Sequence, residues 1–429
     1  LTQAQGGAQP PATPPGQGDA AGHDAYGSLR FRDFRLLLLG VLVAQLGQQM
    51  VAVALGWELY HRTGSALVLG GVGLAQVIPV ILLSLPAGHI VDHASRKQVL
   101  ILAEIALALG SLGLAALSFS HGALALIYGC LVLLGAAQAF SSPASSALIA
   151  QIIPEQAFAN AMTWRSSTFQ LSSVLGPAAG GLLVAVLHGA SWVYVINAVA
   201  TLLFTLLLVP IRLRYHMRPV AAERTLDSLA EGVRFLLRTP IILAAITLDL
   251  FAVLLGGATT LEPIFAQDIL RVGPEGLGWM RAATSVGALG MALLLAHQPP
   301  FKRAGRTLLF AVTAFGLATI VFGLSRSFGL TLVMLFLLGA FDNVSVVIRS
   351  TLLLVRTPNE LRGRVGAVNW LFISSSNQLG GFESGLTAQV FGPVPSVVAG
   401  GLGTLLVVLL VAWRWPAMRR LGALAAPSE

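Results

Sequence analysis

The residues of this 429-residue chain that could do chemistry are few, and they sit in unexpected places. Asp249, Asp342, Glu104 and Glu383 each fall inside a long apolar run. Arg349 follows Asp342 by seven positions, which puts the two on one face of a helix. Glu58 and Glu262 lie near the ends of such runs, and Arg165 and Arg281 lie within others. An ionised side chain at the centre of a membrane helix costs at least ~2.5–3.5 kcal/mol, so each of these is a functional candidate. Desolvation favours the neutral form of a carboxyl group, which suits a buried one to proton exchange near neutral pH. Asp249 and Asp342 lead on that ground. The rival reading is a static ion pair with Arg349 or Arg281. Glu383, in "GGFES", fits a cavity or a packing role equally.

Other chemistries find no pattern. His61, His89, His93, His121 and His188 are scattered without metal-ligand spacing, and no metal site is expected. There is no GxxxxGK[ST] phosphate loop and no Ser-His-Asp arrangement. The chain therefore reads as no enzyme, with no cofactor. The single Cys130 reads as a small packing residue. Met50, Trp57, Trp164, Trp279, Phe372 and Tyr194 fit either an aromatic site or interfacial anchoring.

Two polar interruptions stand out. In "PAGHIVDHASRKQVL" (86–100), Gly88 allows close helix approach. Asp92 follows one turn later on the same face, and Arg96 and Lys97 come next. Asp92 can meet the positive end of a neighbouring helix or a cation such as Arg362 or Arg364. The plainer reading leaves Arg96 and Lys97 as interfacial anchors. In "GPAAGG", Pro177 removes a backbone hydrogen bond, while Gly176, Gly180 and Gly181 let neighbours close in. That is either a bend that seals two parts together or ordinary small-residue packing.

Long apolar elements must carry these groups. The chain is 55% hydrophobic, 10% charged and has a mean hydropathy of +0.80, against about 25% charged in soluble proteins. Twelve runs are long enough to span a bilayer: 35–60, 66–88, 98–118, 123–147, 163–187, 191–211, 241–265, 275–297, 307–324, 328–351, 366–389 and 395–415. They are continuous rather than alternating, which points to helices and away from a barrel. Of the 26 Lys and Arg residues, 20 fall in the tails and alternate loops, three (Arg62, Arg271, Arg326) in the other loops and three inside spans. The positive-inside rule then places both termini in the cytoplasm. It also explains the net charge of +8 without nucleic acid as a partner.

The expected organisation is a disordered tail (1–28), a six-helix bundle (29–211), a cytoplasmic linker with an amphipathic helix (212–240), a second bundle (241–415) and a tail (416–429). The first apolar run reads as a span rather than a cleavable leader. Shifted by 204 residues, the chain matches itself. Leu133, Leu134 and Gly135 fall on Leu337, Leu338 and Gly339; Pro154 falls on Pro358, Gly176 on Gly380, Gly181 on Gly385 and Glu58 on Glu262. Parallel repeats of this kind leave a site between them near the midplane.

Twelve spans in two parallel six-helix repeats resemble the major facilitator superfamily. "GHIVDHASRK" (88–97) resembles its loop signature, with His93 and Ser95 standing where the pattern has Arg and Gly. "GPAAGG" (176–181) resembles the motif of antiporter-type members. "QLGQQMVAVALGWELYHRTGSALVLGGVGLAQVIPVILLSLPAG" (45–88), "PEQAFANA" (154–161), "EGVRFLLRTP" (231–240) and "ELRGRVGAVN" (360–369) are similar to bacterial enterobactin exporters and macrolide efflux proteins. The resemblance implies an all-α membrane protein of the bacterial inner membrane, a monomer in the bilayer. It would export a small amphiphilic molecule, siderophore-like or drug-like, in exchange for protons. An importer or uniporter of a nutrient, and a non-transporting sensor or scaffold, are the alternatives. The resemblance further implies that Asp92 latches onto the eleventh span in the outward-facing state; Glu104, six or seven residues past a cytoplasmic helix start, reads from its position as a brace for that latch. The resemblance also implies that spans one, four, seven and ten line the cavity. Asp249, Asp342 and Glu262 would then form an acidic wall opposite Gln45 and Gln138, the counterparts of Asp249 and Asp342 under the 204-residue shift. The family's Arg on the fourth span is Leu131 here.

Overall fold

A computed structural model describes residues 26–215, 226–299, 301–358 and 361–423. Most of the expected 1–28 tail, residues 216–225 of the linker and the last six residues lie outside this set. Among the described residues twelve long helices follow one another: α1 (Arg32–Thr63), α2 (Ala66–His93), α3 (Arg96–Phe119), α4 (Leu124–Ile152), α5 (Phe158–Val186), α6 (Ser191–Leu208), α7 (Pro240–Leu255), α8 (Gly273–Ala296), α9 (Ala304–Leu324), α10 (Phe328–Arg356), α11 (Arg362–Phe391) and α12 (Pro393–Arg414). Continuous apolar sequence satisfies its backbone internally only as helix, and turn residues punctuate it. Gly64, at φ 61°, ends α1, and the Ser65 Oγ accepts the Val68 N–H to start α2. Gly392, at φ 90°, separates α11 from α12.

Eleven helical segments among the described residues are long and apolar enough to cross a membrane. The remaining long helix is α11, whose "SSSNQ" (374–378) lowers its hydropathy. Packing holds it in place: it lies along α2 and α7 and also meets α12. The seventh span departs from the expected continuous 241–265 run. It is helical to Leu255, breaks at Gly256-Gly257, and continues as 3-10 turns (Ala258–Leu261), a helical turn (Glu262–Ile264) and a π segment (Phe265–Ile269). The break lets the Gly380 backbone of α11 approach, since a Cβ on Gly257 would lie 2.6 Å from its carbonyl oxygen.

The same helix pairs recur in both halves. α1 packs on α5 and α6, α2 on α4, and α3 on α4 and α6. α7 packs on α11 and α12, α8 on α10, and α9 on α10 and α12. The halves meet chiefly through α2 with α11 and α5 with α8. Both junctions are built from paired glycines. A Cβ on Gly181 would stand 2.9 Å from Gly278 Cα, and one on Gly385 would stand 2.9 Å from Gly70 Cα. Gly181 and Gly385 are 204 positions apart, and Gly70 and Gly278 are 208 apart, so the second junction repeats the first.

These junctions sit at the far end of the bundle, the end that carries the α1–α2 and α7–α8 connections. Tyr60 of α1 hydrogen-bonds Asp268 there, and the Ser65 Oγ donates to Gln389 Oε1 at 3.0 Å. The opposite, basic end carries both described chain ends. Gly27–Arg30 forms a short 3-10 helix whose buried Ser28 donates N–H and O–H to Asn160 Oδ1, so residues 27 and 28, expected in the tail, belong to the packed structure. The linker helix Leu226–Arg238 packs against α11 and α7, and Pro416–Arg420 packs beneath α9.

Candidate functional site

Between the halves lies a cavity of about 380 Å³. Gln48, Gln49, Gln76 and Gln138 line it from the first half, and Trp370, Ser374 and Gln378 of α11 line it from the second. Asn197 and Thr201 form its back wall. Among the described residues no charged side chain is in this lining. It offers amide donors and acceptors set among Val51, Leu55 and Val80, the surface of a site for small molecules with both apolar and hydrogen-bonding parts. A smaller space of about 170 Å³ adjoins it toward the far end, sharing Ala52, Leu55, Gln76 and Gln378. Arg281 and the irregular seventh-span residues Thr260 and Pro263 also line it.

The expected acidic wall is not there. Asp249 and Asp342 face a separate small cavity inside the second half, among Val312 and Phe315 of α9 and Ser345 of α10. Asp249 forms an ion pair with Arg349, and both side chains are under a tenth exposed. Asp342 stands two turns from Arg349 in the same helix. The reason is rotational. α7 is apolar all round, so no stripe in its sequence fixes which face its acid presents.

Glu262 is buried to 1% exposure at the junction of the halves, with its Oε2 3.3 Å from Arg281 Nε. Its repeat counterpart Glu58 accepts the Tyr194 hydroxyl at 2.7 Å and meets Arg62 at 3.3 Å. Gln138 lines the central cavity. Gln45 does not, and its Oε1 is buried without a partner among the described residues. Glu383 is partly buried on α11, outside both linings.

At the basic end the expected latch residues stand apart. Gly88 is buried in α2, and Asp92 is exposed. Lys97 Nζ donates to the Val209 and Ile211 carbonyls at 2.7 and 2.9 Å, closing the last turn of α6. Arg96 is partly buried, and its Nη1 lacks a partner among the described residues. Glu104, buried, accepts the Ser141 hydroxyl of α4 at 2.6 Å. Arg362 is exposed at the start of α11, and Arg364 pairs with Glu231 of the linker helix. In the fifth span the helix runs unbroken through Pro177. Gly176 and Gly180 press on Gln49 and Met50 of α1, and Gly181 on α8.

Sequence reasoning missed Gln48, Gln49, Gln76, Gln378, Asn197 and Trp370. The legible signal was an amide inside an apolar run, the uncharged counterpart of the buried carboxylates. Of the aromatic candidates, Trp279 is exposed and Trp57 faces a far-end pocket with Trp192, so neither enters the central cavity.

Residues 37–382 match the family model described as Major Facilitator Superfamily. The chain belongs to the major facilitator superfamily. It is 28% identical over 403 residues to the multidrug efflux pump Tap of Mycolicibacterium fortuitum, covering 91% of this chain and 98% of that one. It is 26% identical over 383 residues to the enterobactin exporter EntS of Shigella boydii serotype 4, covering 88% and 90%. Among solved structures, a bacterial homolog of the human lysosomal transporter Spinster superposes with a TM-score of 0.72 at 15% identity, covering 95% of this chain and 100% of the other. A POT family transporter in complex with 5-aminolevulinic acid gives 0.70 at 12% identity, covering 90% and 97%. The fold is therefore shared well beyond sequence likeness, and Tap and EntS, two of the relatives by sequence, bear the names of an efflux pump and an exporter.

Proposed function

We propose that this transporter is a proton-coupled exporter of small amphiphilic molecules, drug-like or siderophore-like, in the bacterial inner membrane. The observation that carries the reading is the uncharged, amide-rich cavity between two halves held together at the far end. A site between parallel repeats, sealed on one side by two repeat-related glycine junctions, suits alternating access by rocking. With the basic end in the cytoplasm, the closed far end makes this the inward-facing state. Asp92 and Arg364 then stand apart because their latch belongs to the other state.

The proton sites in this reading are the buried carboxylates. Asp342, beside the Asp249–Arg349 pair in a small internal cavity, gains or loses a charge that the surrounding helices must accommodate. The efflux names of its relatives support export over uptake. The protein would act as a monomer, as each six-helix half supplies one wall of the site.

The test is growth of a drug-sensitive bacterial host expressing the chain across a panel of antibiotics, dyes and siderophores. Resistance to several amphiphilic compounds, lost when Gln138→Leu and Gln378→Leu replace cavity amides, supports the reading. Unchanged sensitivity to the whole panel with the protein present in the membrane contradicts it.

A further inference from the structure

Three histidines that stand far apart in the sequence, His61, His121 and His188, line one cavity of about 710 Å³ at the far end of the first half. It lies among the last residues of α1, α3 and α5, the start of α6 and Pro274 of α8. Its volume is that of a small-molecule site, and it shares no lining residue with the central cavity. The rings of Trp57, Phe119 and Trp192 face it, with Phe119 edge-on to Trp192 at 5.4 Å between centroids and Trp57 parallel to His61. The two charged side chains of the lining, Glu58 and Arg62, meet each other at 3.3 Å, and Glu58 also accepts the Tyr194 hydroxyl. Ser191 donates to Ser118 at 2.8 Å. With those groups engaged, the imidazole edges are what the cavity offers a polar ligand.

Two of these rings are placed against the local preference of the backbone. α3 and α5 close with the same turn: the N–H groups of Gly122 and Gly189 donate to the carbonyls of Leu117 and Val184, five residues back, at 2.8 and 3.0 Å. The residue before each glycine takes the left-handed conformation, His121 at φ 51° and His188 at φ 55°. Glycine is the usual occupant of that position, because a Cβ there crowds the following carbonyl oxygen. Here each glycine stands one position late. The second half supplies the comparison. Under the 204-residue shift that pairs α5 with α11, His188 falls on Gly392, at φ 90°. The second half thus ends its helix on the unstrained residue, and the first half ends on an imidazole. His188 Nδ1 lies 2.9 Å from the Val186 carbonyl oxygen, which can only accept, so Nε2 is the ring nitrogen left to a ligand.

We propose that this far-end cavity is a second binding site, for a planar aromatic molecule carrying one anionic group. The ring system stacks on the indoles of Trp57 and Trp192. The anionic oxygens accept N–H bonds from the imidazoles, which donate from both nitrogens when protonated. Among the described residues no three His, Cys, Asp or Glu side chains are grouped to hold a metal ion, so the convergence of imidazoles suits an anion's donor set. No acid opposes an anion there. Glu58 is held by Arg62 and Tyr194, Asp268 is held by Tyr60, and Glu275, beside Pro274, is exposed outside the lining. His61, His121 and His188 are exposed at the far-end surface, so the site fills from the side of the membrane opposite the basic end.

The test uses the full chain in lipid nanodiscs, with empty nanodiscs as the blank, and two tritiated probes, 2-naphthoate and 2-naphthamide, which share their rings and differ in charge. Wild type should bind one naphthoate per chain at least about tenfold more tightly than the amide, the worth of one hydrogen bond to a charged group. His121→Asn/His188→Asn should erase that preference and leave amide binding in place. Asparagine suits left-handed backbone, so both turns are kept. Trp192→Leu should weaken both probes alike. Gln138→Leu/Gln378→Leu in the central cavity, and His89→Asn/His93→Asn at the basic end, should bind naphthoate as wild type does. Equal or tighter binding of the amide, no saturable binding of naphthoate, or a preference that survives His121→Asn/His188→Asn overturns the site. So does a loss of binding in either control pair. None of these readings involves transport, so a chain that binds naphthoate here but protects no host from the drug panel refutes the transport reading alone.

Discussion

The far-end junction between α2 and α11 can be loaded by a single methyl group. A Cβ on Gly385 would lie 2.6 Å from the Ala66 carbonyl oxygen, 2.9 Å from Gly70 Cα and 3.0 Å from Gly70 N. All three are main-chain atoms, so no rotamer change relieves the clash. The helices must part by about 0.8 Å to reach ordinary contact at 3.4 Å. Forcing extra atoms into a packed interface costs about 1–3 kcal/mol. In a rocking transporter that cost falls only on the state in which the far end is shut. Gly385→Ala should therefore shift the equilibrium toward far-end opening by about 5- to 150-fold. The assay is a distance distribution between spin labels on Thr63→Cys and Arg271→Cys, both exposed at the far end, in a Cys130→Ala background. Gly181→Ala should act alike through its contact with Gly278, whereas Gly189→Ala, which meets nothing within 4 Å, should not. A folded Gly385→Ala protein with the wild-type distribution would refute the claim that these junctions hold the closed state.

Three further outcomes follow from side-chain geometry. Asp249→Asn or Arg349→Gln alone leaves a buried unpaired charge and should destabilise the protein by about 3–5 kcal/mol, read as thermal unfolding in detergent, while Asp249→Leu/Arg349→Met should be milder than either. Tyr60→Phe removes the hydrogen bond to Asp268 that joins the halves; a bond to a charged group is worth about 1.5–3 kcal/mol, so the same spin-label pair should show more of the open form. Glu231→Gln should change stability by less than about 1 kcal/mol, since its pair with Arg364 is roughly half exposed.

Much of this was legible because the bilayer simplifies the code. Continuous apolar runs gave the twelve helices, and the 204-residue shift gave the paired halves, including Gly181 and Gly385, which turn out to make equivalent junctions. The acid residues were visible as charges in apolar sequence, but their directions were not. α7 has no polar stripe, so Asp249 could be located along the helix and not around it. It turned toward α9 and Arg349, and the uncharged amides Gln76 and Gln378 took the cavity wall instead. The break at Gly256-Gly257 was present in the sequence as a glycine pair. Its effect, exposing Thr260 and Pro263 to the cavity and bringing Glu262 to Arg281, depended on the approach of Gly380 from a helix distant in the chain. α11 shows the converse: its serines and amides weaken the hydropathy signal at the place where they face the site.

The central claim is that buried carboxylates couple cargo movement to protons. Its most direct test is flux in proteoliposomes with an imposed pH gradient, using the panel compound to which the chain confers the strongest resistance. Cargo should accumulate in the acidic compartment and stop when an ionophore collapses the gradient. Asp342→Asn should still bind the compound and exchange it, yet lose gradient-driven accumulation. Accumulation that ignores the gradient, or that persists unchanged in Asp342→Asn and Asp249→Asn, would contradict the account.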